Sequence, residues 1–202
     1  MTFAAIVVGG YLLGSCPWGY WLVRLFHAED VRKLGSGGIG ASNVWRSYGR
    51  SLGIPVVALD ILKGFAPAFV GVLWVSHLCG ILAGAAAMAG HARPLYLRFE
   101  KGGKMVATGG GVMFAVAFWV ALAVGGVWLL TFAITRYTSV ASIVGAIGLP
   151  IAAAAFGYPV SVIVFAGLTG AAVILLHRAN LRRLRAGTEN RFRQRSPAGV
   201  IR

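Results

Sequence analysis

Residues 105–134 read MVATGGGVMFAVAFWVALAVGGVWLLTFAI, thirty residues without a charge between Lys104 and Arg136. A helix crosses a bilayer with about 20 apolar residues, so the stretch is too long for one span and short for two. Both of its flanks are basic, and in membrane proteins Lys and Arg collect on the cytoplasmic side. The chain is therefore expected to cross and return, as two short helices turning near residues 115–122. That reading predicts an all-α, polytopic membrane protein.

The same pattern extends in both directions. Toward the N-terminus lie apolar runs at residues 3–26, 52–75 and 78–92, the last two parted by the uncharged break Ser76-His77. Toward the C-terminus a run from Val140 to Leu176 is divided at Gly157-Tyr158-Pro159, a natural helix break. Charge-free connections alternate with charged ones throughout. The alternation predicts seven transmembrane helices, with the N-terminus outside and the C-terminus cytoplasmic. The first charge, Arg24, comes at the end of its apolar run, so no basic region precedes that run and a cleaved signal peptide is not expected.

Composition agrees. The chain has 202 residues, 58% hydrophobic and 12% charged, whereas a soluble domain carries about a quarter charged residues. A soluble enzyme, a disordered tail protein and a disulfide scaffold are excluded. The balance of 19 Lys+Arg against 5 Asp+Glu is read as topology marking, with no call for nucleic acid. Cys16 and Cys79 lie in apolar stretches and say nothing of redox compartment. One domain covers residues 1–202, with residues 179–202 a basic cytoplasmic tail. That tail is either a helix lying on anionic lipid or a solvated topology signal.

The chemistry is expected in the charged loops. Residues 31–46 read VRKLGSGGIGASNVWR. Gly35, Gly37 and Gly40 satisfy the dinucleotide pattern G-x-G-x-x-G, but a membrane helix precedes them and the acidic residue 20 positions on is Asp60, inside an apolar span. What remains is a glycine-rich backbone beside Ser36, Ser42, Asn43 and Arg46, suited to holding phosphate oxygens in a nest of N–H groups. Residues 100–108 read EKGGKMVAT. Lys104 is followed by Met105, so this is no Walker loop. Lys101, Gly102, Gly103 and Lys104 opening a helix nonetheless make a second anion site. Asp60 and Lys63, three apart within a span, are expected to pair across one helix face as a structural ion pair. Ser139 and Ser142 start one helix, and His177 and Asn180 end another. No histidine has partners at metal spacing, so no metal site is expected.

These motifs, with Gly90-His91, Tyr137-x-Ser-Val-Ala-Ser142 and His177-Arg-x-Asn180, together resemble the bacterial acyl-phosphate:glycerol-3-phosphate acyltransferases, the PlsY family. The resemblance runs from Gly14 to about Phe192. It implies a seven-helix enzyme of the bacterial cytoplasmic membrane, working without a cofactor or metal, with its active site toward the cytoplasm. It further implies transfer of a fatty acyl group from acyl phosphate to glycerol 3-phosphate, giving lysophosphatidic acid and inorganic phosphate, the opening step of phospholipid synthesis. Membrane lipid is the surrounding partner, and no protein partner is implied. By the same resemblance Arg46, Lys104, His177 and Asn180 bind glycerol 3-phosphate. Ser36, Gly37, Lys101 and Thr108 hold the acyl phosphate head, and Ser142 lies near the reacting hydroxyl. The proton acceptor is either His177 or a substrate phosphate oxygen. The chain departs from the family pattern at Gly38 (usually Asn), Ser42 (Thr), Met105 (Gly) and Ala179 (Glu), and with an extra residue near Glu100. A divergent or non-catalytic member, or a carrier of small anions, are the alternative functions.

Overall fold

The computed structural model describes residues 1–192, and every regular element among them is helical. α1 (Thr2–Gly14) and α2 (Trp18–His27) are two halves of the first apolar run, parted where Pro17 has no N–H to continue the ladder. A glycine-rich loop leads to the short α3 (Ala41–Tyr48). Then come α4 (Arg50–Trp74) and α5 (His77–Ala92), the latter capped by the Ser76 side chain accepting from the Cys79 N–H. α6 (Val106–Val116) and α7 (Phe118–Thr135) meet at Ala117, within the range where the turn was expected. The Gly125-Gly126 pair stays inside α7. α8 (Thr138–Ala155) and α9 (Val160–Leu176) are divided at Gly157, whose φ of +68° lies in the left-handed region that favours glycine, and at Pro159. α10 (Arg178–Arg185) turns off α9 by 55°.

Among the described residues, four helical units are long and apolar enough to cross a membrane: α1 with α2, α4, α7 and α8; α9 joined to α10 makes a fifth. α6 is apolar but has only 11 residues. Large apolar side chains such as Leu130, Ile134, Leu168 and Leu175 face outward, as an integral membrane protein requires.

α4 is the axis of the bundle, packed by α1, α3, α5 and α6. Its approach to α6 is backbone-close. A methyl at Gly64 would overlap the Thr108 carbonyl, and one at Gly111 would overlap the Ile61 carbonyl. Without a strong hydrophobic force between helices in lipid, such small-residue contacts supply the packing. Met88, Val112, Met113, Val120, Phe165 and Ala166 form the core between α5, α6, α7 and α9. A second cluster of Val23, Val31, Ile39, Val44 and Val56 seats α3 and its loop on α2 and α4.

Asp60 and Lys63 pair as expected, at 2.8 Å and fully buried. The Lys63 ammonium also donates to the Cys16 carbonyl at the α1–α2 break, 2.8 Å away. The described part of the basic tail begins as the arginine-rich α10. After α10 the chain folds back, and the Phe192 N–H donates to the Arg136 carbonyl at 2.8 Å. The Phe192 ring lies 5.8 Å from Trp45 and 5.4 Å from Phe132. This strap touches the bundle through Glu189 and Phe192, while Ala186, Gly187, Thr188, Asn190 and Arg191 are exposed. Arg193, Arg195 and Arg202 lie outside the described residues.

Candidate active site

A cavity of about 480 Å³ opens where α3, α6 and α8 begin. The first N–H groups of a helix have no partner within it and carry partial positive charge, so each start is an anion cradle. Gly40, Ala41 and Ser42 line the cavity from α3, Val106 and Ala107 from α6, and Thr138, Ser139 and Ser142 from α8. Arg46, Lys101 and Lys104 bring full charges to the same space, and Ser36 and His177 complete its rim.

The glycine loop is held by one side chain. The Asn43 amide donates to the carbonyls of Val31, Leu34 and Gly38 at 3.1, 3.1 and 2.9 Å. Its carbonyl accepts from the Ser36 N–H at 2.9 Å. Asn43, expected to touch phosphate, lines the cavity and with its side chain staples the loop into shape. Gly35 and Gly37, both at positive φ, turn the chain and do not themselves line the cavity.

The Lys101–Lys104 loop is anchored from below. The N–H groups of Gly102 and Gly103, expected to be free for phosphate, donate to the carbonyls of Ala92 and His91, each at 3.0 Å. A side chain at Gly103 would collide with the His91 ring, which leaves glycine alone able to sit there. The free N–H groups therefore belong to the next turn, at the start of α6. Thr108 stands behind the cavity wall. Its hydroxyl is fully buried, lacks a partner among the described residues, and does not line the cavity.

Lys104 begins a chain of charge-assisted hydrogen bonds. Its ammonium donates to Asn180 Oδ1 at 2.7 Å, and the Asn180 amide donates to Glu189 Oε1 at 2.6 Å. The Ser139 hydroxyl donates to the same oxygen at 2.8 Å, and Arg183 Nε to Glu189 Oε2 at 2.7 Å. Asn180 is off the cavity wall and acts by holding Lys104. Burial and the nearby Arg183, Arg46 and Lys101 push the Lys104 ammonium down to about 8, against a smaller upward pull from Glu189. Burial raises Glu189, but the donors Asn180, Arg183 and Ser139 outweigh it and hold the carboxyl below its ordinary value. Burial also pushes His177 down to about 4, so its ring is neutral. Its Nδ1–H donates to the Val173 carbonyl at 2.7 Å, which leaves Nε2 as a bare acceptor. The Ser142 hydroxyl donates to Thr138 O at 2.7 Å and accepts from Trp128 Nε1 at 3.2 Å.

The chain matches the family model described as glycerol-3-phosphate acyltransferase over residues 4–187. Curated glycerol-3-phosphate acyltransferases resemble it along nearly their whole length. That of Synechococcus sp. (strain JA-3-3Ab) is 43% identical over 93% of this chain and 92% of its own. That of Desulforamulus reducens is 39% identical over 96% and 98%. The crystal structure of PlsY (YgiH), an integral membrane glycerol 3-phosphate acyltransferase, in its glycerol 3-phosphate form, superposes with a TM-score of 0.90 at 41% identity, covering 96% of both chains. Its lysophosphatidic acid form superposes at 0.87 with 40% identity, also covering 96% of both chains. The chain is a member of the glycerol-3-phosphate acyltransferase family.

Measured against the acyltransferase pattern, the departures now have positions. Ala179 lacks a carboxylate, and Glu189 supplies one to the neighbouring Asn180. Sequence reading missed Glu189. The available signal was that it is one of only five acidic residues in the chain, and it follows a run of arginines. Gly38 lines the cavity, and an added methyl there would find its nearest neighbour, the Ser36 hydroxyl, 3.8 Å away. Met105 is strained. It precedes α6 at φ +65°, a left-handed conformation costing a non-glycine residue about 1–2 kcal/mol, and its side chain lines the cavity beside Lys104. Met105→Gly is expected to raise kcat/KM several-fold by relieving that strain and clearing the wall, and Gly38→Asn to change it less. Steady-state kinetics of the two variants decide; an effect of Gly38→Asn exceeding that of Met105→Gly contradicts this assignment.

Proposed function

We propose that this chain moves a fatty acyl group from an acyl phosphate to the 1-hydroxyl of glycerol 3-phosphate, releasing lysophosphatidic acid and inorganic phosphate. The observation that carries this reading is one cavity in which the phosphate cradles of α3 and α6 meet Arg46, Lys101 and Lys104 beside an apolar wall. Both substrates bear phosphate, and one bears a hydrocarbon chain. Arg46 and Lys104 take the phosphate of glycerol 3-phosphate. Ser36, Lys101 and the first turn of α6 take the acyl phosphate head.

The donor is already activated, so catalysis rests on positioning and on stabilising charge. The glycerol hydroxyl attacks the acyl carbon, the bond from that carbon to the phosphate oxygen breaks, and the hydroxyl proton ends on the departing phosphate. A covalent serine is unsupported, because the Ser142 proton is committed to Thr138. His177, too acidic when protonated to keep the proton at neutral pH, orients the hydroxyl through Nε2. The test is direct. Purified protein given palmitoyl phosphate and glycerol 3-phosphate should release inorganic phosphate in proportion to lysophosphatidic acid. Release that does not depend on glycerol 3-phosphate, or no release, overturns the reading in favour of a non-catalytic member.

The pH profile follows from Lys104. An ammonium lowered to about 8 loses its charge well before an ordinary lysine as pH rises. Phosphate affinity needs that charge, so KM for glycerol 3-phosphate should rise about tenfold per unit once pH passes ~8. Lys104→Arg keeps its charge over this range and should move the break upward. A flat profile from pH 7 to 10 (about the accessible range) would separate Lys104 from the phosphate.

The same reading sets the topology. The chain lies in the bacterial cytoplasmic membrane with seven spans, its N-terminus outside and its cavity toward the cytoplasm, where charged substrates are available. The alternation of charged and charge-free connections supports this. Cysteines introduced at Ser76 and Thr188 should label from opposite faces of intact spheroplasts; labelling of both from one face rejects the arrangement.

A further inference from the structure

The cavity continues beyond the phosphate cradles. Past Lys104 it runs along α6 as a floor, with α4 on one side and α7 on the other. Its lining recurs at four-residue spacing on each helix: Val57 and Ile61, Gly110 and Phe114, Gly125 and Leu129. Residues four apart share a helix face, so these three faces form one continuous trough. From Val106 to Phe114 it descends about 12 Å. There a second hollow of about 350 Å³ begins, which shares Ile61 and Phe114 with the first and is lined by Phe65, Phe69 and Phe118, the last two with an exposed edge. The Phe65 and Phe69 rings stack at 5.1 Å, and Phe114 meets Phe118 at 6.0 Å.

The two glycines of this trough are unlike those that seat α4 on α6. A methyl added at Gly110 or at Gly125 would meet no atom within 4 Å. Helix packing does not require glycine at either place, and glycine weakens a helix interior. What its small size does there is keep the trough open. An apolar channel that begins at a phosphate cradle and ends on aromatic rings fits a single unbranched hydrocarbon with an anionic head.

We infer that Gly110 and Gly125 set the bore of an acyl-chain channel and that Phe65, Phe69, Phe114 and Phe118 set its depth, so that together they fix the chain length the enzyme prefers. This rests on the acyl phosphate reading above. The experiment compares kcat/KM for palmitoyl and octanoyl phosphate in the full chain carrying Gly110→Leu, Gly125→Leu or Phe114→Ala. The palmitoyl-to-octanoyl ratio should fall at least about tenfold in the two leucine variants, the loss of roughly two buried methylenes. It should rise in Phe114→Ala. The ratio is taken within one preparation, so a loss of folded protein cancels. Should a leucine variant fail to fold, Gly110→Ala and Gly125→Ala should shift the ratio less but in the same direction. Ratios unchanged from wild type, or shifted the opposite way, overturn the channel while leaving the reaction intact. A wild-type enzyme that uses neither donor overturns the reaction itself.

Discussion

Lys104→Ala should reduce kcat/KM for glycerol 3-phosphate by at least a hundredfold, with thermal stability and membrane insertion close to wild type. A desolvated charge-assisted contact to phosphate is worth about 1.5–3 kcal/mol, or about ten- to a hundredfold. Here the loss is compounded, because Asn180 Oδ1 loses the donor that it holds at 2.7 Å. Arg46→Ala removes the other cation and should cost about the lower end of that range or more. Arg46 also donates to the Asn190 carbonyl at 3.4 Å, so its loss loosens the strap as well. Kinetics with glycerol 3-phosphate varied at saturating acyl phosphate provide the check. Wild-type values in either variant would mean that these loops only mark topology.

Glu189→Ala should damage both fold and activity. The carboxylate is 8% exposed and gathers the Ser139 hydroxyl, the Asn180 amide and the Arg183 guanidinium. Removing it strands three donors, one of them charged. Breaking such a buried group costs about 3 kcal/mol, even with Arg183 partly able to turn to solvent. Lys104 then loses its fixed position, because Asn180 no longer has an anchor. Glu189→Gln keeps the shape and one acceptor, and should fall between Ala and wild type. Unfolding in detergent and acyl transfer are to be measured together. A variant with wild-type melting and wild-type kinetics would show the network to be idle.

The helices were legible because the lipid environment writes hydropathy and charge directly into the chain. The turn at Ala117 and the Asp60–Lys63 pair follow from spacing alone. The cations and hydroxyls of the site were legible too, since Ser36, Arg46, Lys101, Lys104, Ser142 and His177 do reach one cavity. What sequence could not give is how donors are spent. Gly102 and Gly103 look free until the α5 carbonyls come up beneath them. Thr108 looks exposed to substrate until α4 closes on its side of α6. Glu189 fell within the basic tail, read as either a helix on anionic lipid or a solvated topology signal, because nothing local announces that Phe192 will dock between Trp45 and Phe132. Each miss is a tertiary contact overriding a local reading.

The strap also imposes an order in time. Ser36 and Arg46 leave the ribosome early, Lys104 midway, and Glu189 after α9 has been made. Until Phe192 has docked under Arg136, the lysine at the centre of the site has no fixed partner beyond an unanchored amide. The position of Lys104 is therefore completed only by contacts that the chain makes among the last of its described residues to be synthesised.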